Sequence, residues 1–348
     1  MTRRDRLLTT LTHREPDRVP LGFEARPAIR EALYRHFAVR DDQALFSALG
    51  IDGFSVFGDA YVAPRYIGPD PATGDGITGD FFGIINQRFA PLAFAETVGD
   101  LERYRWPSAE WFDYSAVALR CRSVAAGDQL VVVGEGGCGI QHAINLRGYE
   151  AAVSDPLLDP NFTHAYLERM GDFFVAWNTR WLSAADGAVD LFRCGDELGS
   201  NTALHCSPEV WRSFYKPQLA RIFAVAKGFG LKIWFHCCGY CRPLLPDLIE
   251  IGVDLWDPAP PTVRDNDLSA LKREFGQDIT FVGGVDEPNI CANGTPDAVR
   301  AEVRCRLEQL APGGGYILGP SQNFTEDVPV ENILALYDEA LAYGRYTQ

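Results

Sequence analysis

Residues 207–241 read SPEVWRSFYKPQLARIFAVAKGFGLKIWFHCCGYC and predict a helix, a buried strand and a cluster of metal-binding residue types. The segment Ser207-Pro208-Glu209 provides an N-cap, a first-turn proline and an acid, so a helix is predicted that ends near Gly228. The predominantly apolar run 231–235 is typical of a strand covered on both faces. A helix followed by such a strand is one unit of a parallel sheet, and here the strand leads directly into His236 and three cysteines.

The same alternation of short strands and longer helical stretches continues on both sides of this unit. Predicted strands lie at 19–24, 54–57, 130–134, 189–194, 231–235, 253–256, 279–282 and 316–318. Apolar residues recur at helical spacing within 163–185 and again within 330–342. Eight β/α units favour a closed (β/α)8 barrel over an open, doubly wound sheet. We therefore expect an α/β fold in which residues 1–348 form a single (β/α)8 TIM-barrel domain.

The stretch from residue 61 to residue 91 interrupts this alternation. It contains a Gly- and Pro-rich segment at 68–79 and a predicted strand pair around 82–89. Long irregular segments of compact domains often form lids or binding loops, and a solvent-exposed hairpin fits the same pattern. We expect an irregular insert after the second strand.

The charge balance excludes some classes of partner. Asp and Glu outnumber Lys and Arg by 47 to 32, which gives a formal charge of −15. Binding to nucleic acid or to anionic lipid is disfavoured, because both depend on concentrated Lys and Arg. The N-terminal residues lack the apolar core of a signal peptide, and no run approaches the ~20 apolar residues of a membrane span. The nine cysteines cannot all pair, so we expect a cytoplasmic protein with reduced thiols.

The cluster after the fifth predicted strand has the chemistry of a metal site. Alternate residues of an extended chain point to the same face, so His236 and Cys238 can converge while Cys237 turns away. Imidazole nitrogen and thiolate sulfur suit zinc, and the active sites of β/α barrels lie at the C-terminal ends of the strands. Cys241, about one turn beyond Cys238, is a candidate further ligand.

Two other interpretations of this cluster stay open on the residues alone. The cysteines can be ordinary buried residues beside a hydrogen-bonded core histidine. Cys238 and Cys241 also form a C-x-x-C pair, whose first thiol gains thiolate character at a helix N-terminus. That pair would give a dithiol/disulfide couple, although its late position in a long chain argues against a thioredoxin-like protein.

Several segments, in the same order along nearly the whole chain, resemble the uroporphyrinogen decarboxylase superfamily. That superfamily has a (β/α)8 fold and includes the zinc-dependent corrinoid methyltransferases, such as the coenzyme M methyltransferases. The segments are REPDRVP (14–20), GDELG (195–199), SPE (207–209), HCCG (236–239), PDLIEIGVD (246–254), FVGGVD (281–286), GGGYILGPS (313–321) and DVP (327–329).

The resemblance is closer to the methyltransferase branch. The decarboxylase branch holds its substrate's carboxylates with an N-terminal Arg-Gln-Ala-Gly-Arg motif, whereas only Arg26 lies near the first strand here. That branch also has a functional histidine in the last strand-to-helix loop, where this chain has Gln322. The methyltransferase branch carries His-x-Cys after the fifth strand, which this chain retains as His236 and Cys238.

The methyltransferase branch also takes a third zinc ligand, a cysteine, from the last loop, which here reads Ser321-Gln322-Asn323. The resemblance therefore implies a zinc site whose third ligand is missing from its usual place. Three arrangements would resolve this gap: Cys241, a residue of the preceding strand end (Cys194 or Asp196), or no stable zinc at all. A carboxylate is an acceptable zinc ligand.

Four polar residues at predicted strand ends are our candidate catalytic residues. They are Asp196 and Glu197 after the fourth strand, Asp286 after the seventh, and Gln322 after the eighth. The structural alternatives are helix capping or a salt bridge for the first two, and loop anchoring for Asp286. The lone histidines His142 and His205 are predicted to be structural.

We expect a zinc-dependent methyltransferase that moves a methyl group between a corrinoid, or a similar methyl carrier, and a thiol or other small acceptor. The resemblance implies that a partner corrinoid protein carries the donor. Barrels of this family often form dimers, so a homodimer is one expectation, although the sequence does not identify a dimer surface. One alternative is a metal-independent decarboxylase or other lyase acting on a carboxylated small molecule, with Asp196, Asp286 and Arg26 shaping its pocket. Another is a non-catalytic barrel that binds a tetrapyrrole or corrinoid.

Overall fold

A computed structural model describes residues 1–53, 61–69, 80–84, 90–134 and 138–346. The strands are β1 (Arg65–Tyr66), β2 (Phe112–Asp113), β3 (Val132–Val133), β4 (Leu191–Gly195), β5 (Lys232–His236), β6 (Val253–Asp257), β7 (Thr280–Val285) and β8 (Tyr316–Pro320). The helices are α1 (Arg3–Thr10), α2 (Pro27–Phe37), α3 (Asp42–Leu49), α4 (Val117–Ala126), α5 (Ile140–Arg147), α6 (Tyr149–Leu158), α7 (Pro160–Ala184), α8 (Pro208–Phe214), α9 (Lys216–Gly228), α10 (Leu245–Glu250), α11 (Leu268–Phe275), α12 (Pro296–Leu310) and α13 (Val330–Tyr343).

Strands β3 to β8 form a parallel sheet in sequence order, with helices between consecutive strands. The segment around Leu21 continues the sheet beyond β8, where Gly22 N donates to Leu318 O at 2.8 Å. On the other side, Val62 N donates to Val132 O in β3 at 3.2 Å. Asp52 N donates to Leu21 O at 3.0 Å, so the residues that lead into the predicted second strand lie beside the first. The predicted (β/α)8 TIM barrel is therefore confirmed, although the predicted strand 54–57 lies outside the described residues.

The interior of the barrel is filled by one side chain or more from each of β3 to β8. Leu191, Trp234, Leu255 and Val282 pack together there, and Leu7 and Leu11 at the end of α1 join them. Successive residues of a strand point alternately into the barrel and out towards the helices. This alternation fixes the inward direction of Trp234, and therefore of His236 two residues later.

The helices bury their apolar faces against the outside of the sheet. Leu167, Met170, Phe174, Trp177 and Trp181 are all buried along α7, as their spacing predicts. The helix predicted after Ser207 is divided into α8 and α9, and the Ser207 hydroxyl accepts a hydrogen bond from Val210 N. Among the described residues, no helix is both long and apolar enough to cross a membrane.

The insert packs on the outer layer of helices. β1 pairs antiparallel with β2, and Phe82 contacts Phe173 and Phe174 of α7. Residues 80–84 form a tight turn, in which Gly83 N donates to Asp80 O, rather than the predicted strand. Residues 70–79 and 85–89, which contain the rest of that prediction, lie outside the described part of the chain.

Candidate metal centre

Three potential metal ligands meet where β4 and β5 end. One ligand atom from each of Glu197, His236 and Cys238 lies within 4.8 Å of the other two. Glu197 Oε1 is 3.0 Å from Cys238 Sγ and 3.6 Å from His236 Nε2. The two strands bring these residues together because Gly195 is paired with His236 in the parallel register. The convergence predicted for His236 and Cys238 is thus present, and Glu197 joins them.

The other imidazole nitrogen of His236 is held by a buried acid on the next strand. Asp257 Oδ2 lies 2.8 Å from His236 Nδ1. Burial lowers the pKa of His236, but the charge of Asp257 and its hydrogen bond outweigh this effect and raise the pKa to about 10. Burial likewise raises the pKa of Asp257, yet the imidazole outweighs it and the net pKa is below the usual range. Nδ1 is therefore directed at Asp257, and Nε2 faces Glu197 and Cys238.

A layer of side chains supports Asp257 from inside the barrel. Trp234 Nε1 donates to Asp257 Oδ1, so both carboxylate oxygens are engaged. The guanidinium of Arg193 lies over the Trp234 ring, 5.3 Å from its centroid. The Arg193 Nε is buried without a hydrogen-bond partner in the described residues.

The loops that carry Glu197 and Cys238 approach each other closely. A Cβ added at Gly239 would meet the carbonyl oxygen of Gly199 at 1.9 Å, so only glycine allows this approach. Tyr240 N also donates to Ser200 O at 2.7 Å. These backbone contacts keep the two ligand-bearing loops side by side.

Cys241 and Cys194, which the sequence suggested as third ligands, lie outside the group formed by Glu197, His236 and Cys238. The thiols of Cys237 and Cys241 contact each other and are fully buried, and burial raises the pKa of Cys237 well above that of a free thiol. Cys194 packs in the core outside the barrel. The structure therefore does not bring Cys241 or Cys194 to the ligand group, and the C-x-x-C partner of Cys238 is turned towards Cys237.

Asp196 is a buried residue that caps a helix. Its carboxylate oxygens accept hydrogen bonds from Ile140 N at 3.0 Å and Gln141 N at 2.8 Å, at the start of α5. Burial raises its pKa to about 7 despite these two bonds. The adjacent residues Asp196 and Glu197 thus point to different surroundings, and only Glu197 lies in the ligand group.

The other candidate residues lie around the same end of the barrel. Asp286 accepts from Asn289 N at 3.1 Å and begins the helical turn 287–291, which is the arrangement of a loop anchor. Gln322 is half-buried in the loop after β8. Arg26 is exposed at the start of α2, where its charge acts on Asp327.

The two lone histidines have aromatic neighbours. His142 packs against Phe82 and Phe174, and burial lowers its pKa to about 4. The ring of His205 lies against Tyr149, whose hydroxyl is 3.3 Å from His205 Nδ1. Both environments fit the structural roles predicted from the sequence.

The donor set fits zinc. Carboxylate oxygen, imidazole nitrogen and thiolate sulfur are all zinc ligands, and catalytic zinc sites commonly use three protein ligands and one open position. A ligating histidine usually donates its second N–H to a carboxylate, as the geometry of His236 and Asp257 allows.

Sequence reasoning missed Asp257 and Trp234. Asp257 ends β6, one residue beyond the predicted strand, and an acid at the C-terminal end of a barrel strand was the available signal. Trp234 lies two residues before His236 and therefore shares its inward face, but its role depends on a partner from another strand.

Comparison with known sequences shows the family to which the chain belongs. The sequence profile of the family named uroporphyrinogen decarboxylase (URO-D) matches residues 2–343. The chain belongs to this family.

Two curated relatives and one solved structure are methyltransferases. The Methylated-thiol--coenzyme M methyltransferase of Methanosarcina mazei is 30% identical over 194 residues, which are 55% of this chain and 47% of that protein. The Methylcobamide:CoM methyltransferase of Methanosarcina barkeri is 24% identical over 151 residues, 43% of this chain and 41% of that protein. The matches thus span just under half of either relative. A methyltransferase structure from Methanosarcina mazei superposes with a TM-score of 0.68 over 99% of both chains at 17% identity, which shows the shared fold.

Proposed function

We propose that this protein is a zinc-dependent methyltransferase that moves a methyl group between a corrinoid, or a similar methyl carrier, and a thiol or other small acceptor. The observation that carries the proposal is the convergence of Glu197, His236 and Cys238 at the C-terminal ends of β4 and β5. This is the end of the barrel at which enzymes of this fold place their chemistry. Both curated relatives are named as methyltransferases of coenzyme M, which supports the reaction class.

Each of the three residues would provide one ligand atom to the metal. His236 would offer Nε2, Cys238 its thiolate and Glu197 a carboxylate oxygen. Glu197 would thereby provide the third ligand that the last loop lacks. Zinc bound there would lower the pKa of an acceptor thiol and favour its thiolate form at neutral pH. Asp257 would keep His236 turned towards the metal.

The proposed reaction balances without a further reactant. The acceptor thiol loses its proton to solvent, and its sulfur forms a bond to the methyl carbon. The bond between that carbon and the corrinoid cobalt breaks, and its electron pair stays on the cobalt. We propose that a separate corrinoid protein presents the methyl group at the mouth of the barrel.

The experiment uses the purified full chain loaded with zinc, with methylcobalamin as donor and coenzyme M as acceptor. We expect loss of the methylcobalamin absorbance together with formation of the methylated thiol. Chelation of zinc and the substitution His236→Ala should abolish both signals. Cys305→Ala, which alters a half-buried cysteine on α12, serves as the matched control and should retain activity.

The outcomes separate this proposal from the two alternatives. Release of CO2 from a carboxylated substrate that survives chelation, without methyl transfer, would establish a lyase instead. A spectral change on corrinoid binding with no turnover would establish a non-catalytic binding barrel. Absence of methyl transfer in the zinc-loaded protein contradicts the proposal.

A further inference from the structure

We infer that Asp257 and Trp234 act together as positioning residues, which fix the orientation of His236 so that Nε2 is available to a metal. This inference rests on the proposed zinc site and assigns a role to two residues outside the group formed by Glu197, His236 and Cys238. It concerns three inward-facing side chains, two from β5 and one from β6.

The first step of the argument is the geometry of the carboxylate. Asp257 is only 5% exposed, and its two oxygens accept from different donors, His236 Nδ1 and Trp234 Nε1. The carboxylate is therefore held at both ends. The backbone carbonyl of Asp257 also accepts a hydrogen bond from Cys237 N at 2.9 Å, which connects the end of β6 to the loop that carries Cys238.

The second step concerns the rigidity of Trp234. The indole lies in the inner core of the barrel, and the Arg193 guanidinium covers its face. Trp234 also lies two residues before His236 along β5. One strand thus provides both the ligand and the group that orients the ligand's partner.

The third step is the hydrogen-bond polarity of the arrangement. His236 Nδ1–H and Trp234 Nε1–H both donate, and each meets a different oxygen of Asp257. A carboxylate accepts at both of these positions, whereas an amide has an acceptor oxygen at one and a donor NH2 group at the other. With Asn at position 257, one of the two donors would face the amide NH2 group. The imidazole would then turn away, or would keep its proton on Nε2 and lose the lone pair needed for the metal.

The arrangement of donors and acceptors predicts an effect on zinc affinity that a loss of core packing would not produce. Asp257→Asn should weaken zinc binding on the order of 10–100-fold, the usual effect of removing a partner of a metal-ligating histidine. In the double variant Trp234→Phe/Asp257→Asn, the indole donor is gone, so the amide oxygen is free to accept from His236 Nδ1. Zinc affinity should therefore be partly restored, although the protein carries one more substitution in its core.

The measurement is the zinc dissociation constant of the full chain by competition with a chromogenic chelator. Trp181→Phe is the matched control, because Trp181 is a buried indole whose Nε1 donates to Val62 O at 3.0 Å, away from the site. We expect wild-type affinity for Trp181→Phe and an intermediate loss for Trp234→Phe. If Asp257→Asn fails to fold, the difference between these two tryptophan variants decides, and equal affinities overturn the inference.

Two results would overturn the inference while the proposed function stands. One is wild-type zinc affinity in Asp257→Asn, and the other is a double variant that binds zinc no more tightly than Asp257→Asn. Failure of the proposed zinc site is distinguishable, because the wild-type protein itself would then bind no zinc. Failure of the methyl transfer alone is also distinguishable, because it would leave the zinc affinity of the wild type and the order of the variants unchanged.

Discussion

Glu197 Oε1 and Cys238 Sγ lie 3.0 Å apart, although 41 residues separate them in the chain. The contact exists because β4 and β5 are neighbours in register and because each residue lies just beyond the end of its strand. We propose that Glu197 takes the place of the cysteine that the methyltransferase branch carries in its last loop and that this chain lacks there. The predictions below follow from this relationship and from the packing that surrounds it.

Cys238 should be the reactive thiol of its segment. It is half-exposed, whereas Cys237 and Cys241 are fully buried, and burial raises the pKa of Cys237. Brief treatment with iodoacetamide, followed by mass spectrometry, should modify Cys238 and spare the other two. Zinc should protect Cys238 but leave the half-buried Cys305 as reactive as before. Modification of Cys241 ahead of Cys238 would contradict this assignment.

Gly139→Ala should destabilise the fold. A Cβ at this position would meet Asp196 Oδ2 at 1.9 Å and force the carboxylate away from the start of α5. Loss of the cap should lower the free energy of unfolding by about 1–3 kcal/mol. Gly228→Ala is the control, since within the described part of the chain its added Cβ meets no atom within 4 Å beyond its own helix backbone and chain neighbours. Denaturant titration of the two variants tests the prediction, and equal midpoints would refute it.

Asp52→Asn should destabilise the closure of the barrel. The buried Asp52 carboxylate pairs with Arg6 and Arg18 and accepts from Leu21 N at 2.9 Å. Removal of its charge leaves the Arg18 guanidinium without this carboxylate and leaves Arg6 with Asp17 alone, which should cost about 3–5 kcal/mol. The exposed pair of Arg122 and Asp186 is the comparison, and Asp186→Asn should change the free energy of unfolding by less than about 1 kcal/mol. A similar small change for both variants would argue against the role given to Asp52.

Stability should depend on pH through His142. Burial lowers its pKa to about 4, so the folded state binds fewer protons than the unfolded state between that pH and about 6.5. The contribution is fully present above about pH 6.5 and is lost as the pH falls through 4, up to about 3 kcal/mol. His142→Gln should remove this part of the dependence. The test is the free energy of unfolding of both proteins across this range, and parallel curves would contradict the prediction.

The sequence was sufficient for features that depend on local pattern. The cap at Ser207 and the apolar run before His236 predicted the helix and strand of the central unit. The period of the strand predicted that His236 and Cys238 converge and that Cys237 turns away. These features depend on neighbouring residues of one segment, so their signal is contained in that segment.

Features that join two segments were harder to predict. Asp196 and Glu197 were equivalent in sequence, and only the turn after β4 decides that Glu197 faces Cys238 while Asp196 caps α5. Cys241 is about one turn beyond Cys238, but the chain turns its thiol towards Cys237. Asp257 acquires its role from two residues of β5, which its own segment does not reveal.

The most direct test of the central claim is the zinc content of the purified full chain, compared between wild type, Glu197→Ala and Cys241→Ala. Equilibration with zinc, removal of the excess and elemental analysis give the metal retained by each protein. The account predicts that the wild type and Cys241→Ala retain one zinc ion per chain and that Glu197→Ala loses it. Retention by Glu197→Ala together with loss in Cys241→Ala, or absence of zinc from the wild type, would contradict the account.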